Sequence, residues 1–216
     1  EQQAYHAKLD WVEKGNVGNK LSNASYNTKP IVVGGEGNHE NTVLDGFWVL
    51  GQTRQPYKQA TGALEVGKGP ENTPLIEFNK AGCRVRNCVI ANSYGPGVRM
   101  MAAGLKDKPE TFNEVSNCLI VNVCSSAIDF RKGLMDPKTN PDAGFAVIRN
   151  NTCAFVWTIP FLSEGYQVLV GRGARLEIEK NIFAYASKDA VHSGFINPKT
   201  RIMGNVFFEN MGPAYT

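Results

Sequence analysis

Arg99, Asp129, Arg131 and His192 are the side chains of this sequence whose types could combine into a reaction. β-Elimination across a uronic-acid residue needs a cation against the substrate carboxylate, a base for the C5 proton and an acid for the leaving oxygen. Arg99 or Arg131 suits the first role, and His192, which titrates near neutrality, suits the second. Asp129 would orient His192 only if the chain between them allowed contact. Hydrolysis would require a second carboxylate across a groove from Asp129, and the pattern offers none. The competing reading is that a strand face turned to water carries charges in any case.

What could bring these residues together is a repeat. Five segments share one pattern: RVRNCVI (Arg84 to Ile90), EVSNCLI (Glu114 to Ile120), VIRNNTC (Val147 to Cys153), EIEKNIF (Glu177 to Phe183) and RIMGNVF (Arg201 to Phe207). A looser copy is TVLDGFWV (Thr42 to Val49). The second positions, Val85, Val115, Ile148, Ile178 and Ile202, are 30, 33, 30 and 24 residues apart. Periods of this size mark a solenoid, in which each repeat covers the apolar face of the next.

Some 13 residues after Val85, Val115 and Ile178 come Val98, Ile128 and Val191. Apolar and polar residues alternate there, which predicts half-buried strands with Arg99, Asp129, Arg131 and His192 outward. In the Ile148 repeat the equivalent strand is either at Phe161, at the same spacing, or at Tyr166 to Gly171, which makes Trp157 to Gly165 an insertion. The second placing sets Gln167 between the last two coils of the outward row. Parallel coils stack about 4.8 Å apart, so the row would line one groove.

Helical periodicity is nearly absent outside Ala4 to Lys14 and Ala102 to Lys106. The expectation is an all-β chain: a right-handed parallel β-helix of about six coils over residues 30–216, after an irregular segment 1–29. Gln52 to Pro74 reads as a long insertion around a short strand, Ala63 to Val66. The fifth repeat position holds Cys88, Cys118, Asn151, Asn181 and Asn205. Stacked in register, the asparagines would hydrogen-bond along the axis and to turn backbone. Asparagine also tolerates the left-handed backbone of a sharp corner. Cys88 and Cys118 then lie in adjacent coils, either as stacked small apolar side chains or as a disulfide.

With 216 residues, 42% of them apolar, the chain can build one continuous core. Its net charge of +3 is spread over interleaved cations and carboxylates, without the basic stripe that nucleic acid demands. No apolar run reaches the roughly 18 residues of a membrane-spanning helix. No CxxC pair or His/Cys cluster suggests zinc. No cofactor is expected, with Ca²⁺ a candidate only where Asp136, Asn140 and Asp142 offer oxygens, a spacing that matches no defined calcium loop. Trp157 and Tyr166 flank the expected insertion, where a rigid scaffold carries its binding loops, and with Gln167 they are the candidate sugar contacts. Trp48 and Tyr185 fall inside strand patterns and are expected to pack.

The motifs NTVLDGFWVLG (Asn41 to Gly51), VRNCVIANS (Val85 to Ser93), VSNCLIVN (Val115 to Asn122) and IRNNTCAF (Ile148 to Phe155) resemble those of secreted right-handed parallel β-helix repeat proteins. KNIFAYAS (Lys180 to Ser187) and GNVFFEN (Gly204 to Asn210) extend the likeness to that superfamily, which includes pectate lyase-like and NosD-like domains. The resemblance implies polysaccharide as the partner and a secreted, periplasmic or cell-surface location. It does not choose an activity, because the superfamily holds lyases, hydrolases, epimerases and non-catalytic surface proteins. The epimerase Asp-Pro-His-Glu motif, the paired aspartates of polygalacturonases and the pectate lyase motifs are absent. The expectation is therefore a binding or structural module on polysaccharide. The alternative is a divergent lyase of an acidic glycan or, failing that, a glycoside hydrolase. The chain opens at Glu1 without Met or a leader pattern, and neither end shows a cap. It is accordingly expected to belong to a longer protein or to stack end to end with a partner.

Overall fold

The computed structural model describes residues 31–33, 41–51, 74–78, 80–93, 95–100, 112–130, 145–158, 164–171, 175–193 and 197–216. Both helix expectations, the strand expected at Ala63 to Val66 and Phe161 lie outside these residues. Among the described residues eighteen short strands fall into six coils of three. The first coil is β1 (Ile31–Val33), β2 (Val43–Asp45) and β3 (Trp48–Leu50); the second is β4 (Ile76–Phe78), β5 (Arg84–Arg86) and β6 (Val89–Ser93). The third is β7 (Val98–Met100), β8 (Phe112–Ser116) and β9 (Leu119–Cys124); the fourth is β10 (Ser126–Phe130), β11 (Phe145–Arg149) and β12 (Thr152–Trp157). The fifth is β13 (Tyr166–Val170), β14 (Arg175–Glu179) and β15 (Ile182–Ala186); the last is β16 (Val191–Ser193), β17 (Arg201–Met203) and β18 (Val206–Phe208). Like strands pair in parallel, giving three six-stranded sheets. Sheet 1 runs from β1 to β16, sheet 2 from β2 to β17 and sheet 3 from β3 to β18. The chain is a right-handed parallel β-helix.

Register follows the repeat anchors. Leu44, Val85, Val115, Ile148, Ile178 and Ile202 form one row of sheet 2. Val98, Ile128, Val168 and Val191 form one row of sheet 1, so Tyr166–Val170 is the strand of the Ile148 repeat. Both rows are inward, and their buried members join Phe78, Phe130 and Phe183 in one core. Leu44, Ile202 and Phe207, in the first and last coils, are only partly buried. A solenoid buries its apolar faces by stacking, so a coil with one neighbour covers half as well as a coil with two.

Two ladders of left-handed residues bend the coils, the first in all six and the second in coils two to six. At the corner from sheet 2 to sheet 3 positive φ falls on Gly46, Asn87, Asn117, Asn150, Lys180 and Gly204. One such residue turns the chain sharply from one sheet into the next, and Gly and Asn enter this region at least cost. The bend therefore sits one residue before the Cys/Asn position to which the sequence pattern assigned it. Cys88, Cys118, Asn151 and Asn181 point inward and are buried.

There the amides form a continuous ladder. Asn151 Nδ2 donates to Asn181 Oδ1 at 3.0 Å and to Val115 O at 2.9 Å. Asn181 Nδ2 repeats this one coil on, to Asn205 Oδ1 and Ile148 O, each at 2.9 Å. Backbone N–H groups of Cys118, Asn151 and Asn181 donate to the next asparagine's Oδ1. The second left-handed ladder lies inside sheet 3, at Asn92, Asn122, Phe155, Tyr185 and Glu209.

Candidate functional site

The outward row of sheet 1 reads Glu77, Arg99, Asp129, Leu169, His192 in register. Arg99 and Asp129 are adjacent, as the spacing predicts, and Arg99 Nε donates to Asp129 Oδ2 at 3.0 Å. The outward direction does not make this carboxylate a surface group: Asp129 is fully buried and the Arg99 side chain is 16% exposed. Leu169, not Gln167, lies between Asp129 and His192, two coil steps or about 9.6 Å apart. Gln167 sits two positions earlier on β13 and is buried. Its Nε2 donates to Ala184 O at 2.7 Å and to Asn210 Oδ1 at 3.3 Å, bracing the corner between sheets 3 and 1.

His192 belongs to a separate cluster at the last coil. Its Nδ1 lies 3.0 Å from Asp189 Oδ2 and 2.7 Å from Thr216 Oγ1. The ring stacks on Tyr166, centroids 4.3 Å apart. Tyr166 is thus a packed side chain, 9% exposed, with its phenol pushed up by burial and then by the nearby charges of Asp189 and Glu164. Asp189 meets the ring nitrogen that Thr216 also meets, so the three do not form a nucleophile–base relay. Arg131, Asp136, Asn140 and Asp142 lie outside the described residues. Among the described residues no three His, Cys, Asp or Glu side chains gather to hold a metal.

The third predicted sugar contact leads to the other side of the molecule. Trp157 ends β12 on the outer side of sheet 3, 46% exposed, with Nε1 donating to Asn122 Oδ1 at 2.9 Å. Beside it run aromatics the sequence pattern had not assigned to a site. Phe155 and Tyr185, on the left-handed ladder, have ring planes 4° apart and centroids 4.8 Å apart. Trp157 lies 6.3 Å from Phe155 on one side, and Phe208 meets Tyr185 edge-on at 5.5 Å on the other. Parallel rings in face contact sit about 3.5–4 Å apart. At 4.8 Å they must be slid by about 3 Å, so part of each face stays uncovered. All four rings are between 38% and 48% exposed. Tyr185 and Trp48 were expected to pack inward; both face outward, Trp48 at 59%. Alternation from the inward Phe183 would place Tyr185 inward too; the left-handed backbone at Tyr185 breaks that alternation and turns the ring out.

Sheet 2 has the opposite character. Its outer face is laced with charge, and Glu114, nearly buried, is held by Arg149 at 2.6 Å and Arg84 at 3.7 Å. The Cys88 and Cys118 thiols stack as free, buried groups and point to backbone carbonyls of Arg86 at 3.1 Å and Ser116 at 3.2 Å. The thiol hydrogen bond to Cys88, and then burial, push Cys118 up; burial alone pushes up Cys153, and Cys124 to about 11.

This gives stability a sign with pH. The unfolded thiols ionise near 8.5. Folded Cys118, Cys124 and Cys153 hold their protons longer, so their contribution is complete below about 8.5 and is lost as pH rises, for Cys124 over the window up to about 11. The urea midpoint should fall across that window, with a Cys124 share on the order of 2 kcal/mol that Cys124→Ser removes. A flat midpoint from pH 8 to 11 would contradict the buried-thiol account.

Comparison with protein-family models, curated proteins and solved structures gave no match. The parallel β-helix therefore rests on strand pairing and register.

Proposed function

We propose that this chain is a secreted, periplasmic or surface-exposed β-helix module of the pectate lyase-like kind that contacts polysaccharide as a binding or structural element. The observation that carries the reading is the exposed run of Trp157, Phe155, Tyr185 and Phe208 on one strand face of a rigid solenoid. Sugar rings dock their C–H faces on such aromatics, and the Asn92 and Asn122 amides beside them have hydrogen-bonding capacity left for hydroxyls. β-Elimination has less support, because Arg99 neutralises Asp129 and neither is beside His192. End-to-end stacking on a further coil, of this chain or another subunit, fits the Asn ladder, which runs to Asn205 in the last coil.

Affinity electrophoresis through gels holding neutral or acidic polysaccharides, with and without Ca²⁺, tests the reading. Retardation is expected, and Trp157→Ala should weaken it about tenfold, the loss of one partly desolvated aromatic anchor. Absence of retardation in every gel would remove the proposal. A rise of unsaturated-uronide absorbance together with reducing ends would replace it with a lyase.

A further inference from the structure

We propose that the ligand is an uncharged, extended glycan that lies parallel to the solenoid axis, on the left-handed ladder of sheet 3. This rests on the polysaccharide reading above and adds the charge class, the direction and the residues. Three observations carry it.

The first is charge. From Trp48 in the first coil to Phe208 in the last, no outward position of the paired sheet 3 rows holds an acidic or basic side chain, and the Cys124 thiol beside Trp157 is buried. On sheet 2 the equivalent face carries Asp45, Arg84, Arg86, Glu114, Arg149 and Glu177. A uronan would bring a carboxylate per sugar against a face whose described strand positions hold no cation to meet it, at a desolvation cost. A neutral chain meets no such cost.

The second is the order of side chains along the axis. Asn92, Asn122, Phe155 and Tyr185 occupy one left-handed position in four successive coils. Asn122 Nδ2 donates to Asn92 Oδ1 at 2.8 Å, and Trp157 Nε1 joins Asn122 to the aromatic half. The strip is thus amide for two coils and aromatic for two, about 14 Å over three coil steps. Amides that accept and donate, in line with uncovered ring faces, match the hydroxyl edges and C–H faces of a sugar chain. A purely apolar partner would cover the hydrogen-bonding capacity these amides have left beyond the Asn122–Asn92 and Trp157–Asn122 bonds without matching it. Glu209 closes the strip in the last coil.

The third is the residue choice. Asparagine enters left-handed backbone readily, whereas phenylalanine and tyrosine do so at a cost. Coils two and three show that Asn satisfies this bend, so the two aromatics are not what the corner needs.

The test uses that substitution. Phe155→Asn, Tyr185→Asn and their double variant place in coils four and five what coils two and three already hold, so the fold and thermal midpoint should persist. Retardation by hydroxyethyl cellulose should fall at least tenfold in each single variant and vanish in the double. It should not change between 20 and about 200 mM salt, a range over which phosphate-type charge contacts weaken strongly. Neutral oligosaccharides should gain affinity with length until they span the strip. Preferential, salt-sensitive binding of polygalacturonate would overturn the uncharged class while leaving the polysaccharide reading intact. Loss of binding to every glycan in the parent protein would overturn both. A monomer–dimer equilibrium in sedimentation that the double variant abolishes would make the occupant a second copy of this chain, and overturn the proposal.

Discussion

Asn181→Ala should cost this fold about 3–5 kcal/mol, and the loss should come from hydrogen bonds, not volume. Asn181 is 1% exposed and serves two coils at once. Its Oδ1 accepts from both the backbone N–H and the Nδ2 of Asn151, and its Nδ2 donates to Ile148 O and Asn205 Oδ1. Alanine orphans the buried Asn151 N–H, at about 1–3 kcal/mol, and removes the amide donor from Ile148 O, which keeps its place in the sheet 2 ladder, at about 1 kcal/mol more. It also halves the bonding of two neighbouring amides. Position along the ladder sets the size of the effect. Asn151, in the same environment one coil back, should behave alike, while Asn205, partly exposed in the last coil, should lose about 1 kcal/mol.

The chain itself supplies a control. Cys88 and Cys118 hold the same register position, and their thiols point to backbone carbonyls in the amide's place. Asn181→Cys should therefore recover part of the alanine loss. Urea denaturation of the four single variants, alanine at Asn151, Asn181 and Asn205 and cysteine at Asn181, measures all of this. A cost below about 1 kcal/mol for Asn181→Ala would mean that the amide ladder decorates the turn without holding it.

Architecture was legible because a solenoid writes its register into its sequence. One apolar anchor per coil, Val85, Val115, Ile148, Ile178 or Ile202, fixes which residues share a row, and turn residues mark the corners. The Val98, Ile128 and Val191 strands followed from the same arithmetic. What failed was finer. Periodicity gives the face of a residue but not its neighbours, because coil lengths differ and one extra or missing residue reassigns a row. Gln167 thus lost its place to Leu169. Outward was also read as wet, and Asp129, outward and fully buried, shows that the two are separate properties. Sheet 3 reverses the usual inference for apolar residues. Trp48 and Tyr185 sit in strands yet face out, because an exposed large apolar side chain is not excluded by folding and is informative only in a patch. The left-handed bend falls one residue before the ladder amide, since the amide must point into the coil to reach its neighbours.

Arg99→Met should destabilise by about 3 kcal/mol, and adding Asp129→Leu should return most of that loss. Removing Arg99 takes its cation from a fully buried carboxylate, and breaking a buried pair on one side costs about 3–5 kcal/mol. Removing both leaves two apolar side chains beside Leu169, the next residue on the row, where they extend a packed apolar surface. Replacing a whole buried pair in this way is often neutral or stabilising. The cycle therefore separates two roles for the residues that first suggested chemistry. If the pair is architectural, the coupling in the double-mutant cycle is at least about 2 kcal/mol, and the double variant still binds glycan like the parent. If Arg99 instead serves a substrate carboxylate, Arg99→Met leaves stability within about 1 kcal/mol and abolishes uronide release from an acidic glycan. The geometry favours the first outcome. A guanidinium 3.0 Å from a fully buried carboxylate, with only 16% of its side chain in contact with water, has little left to offer a second anion.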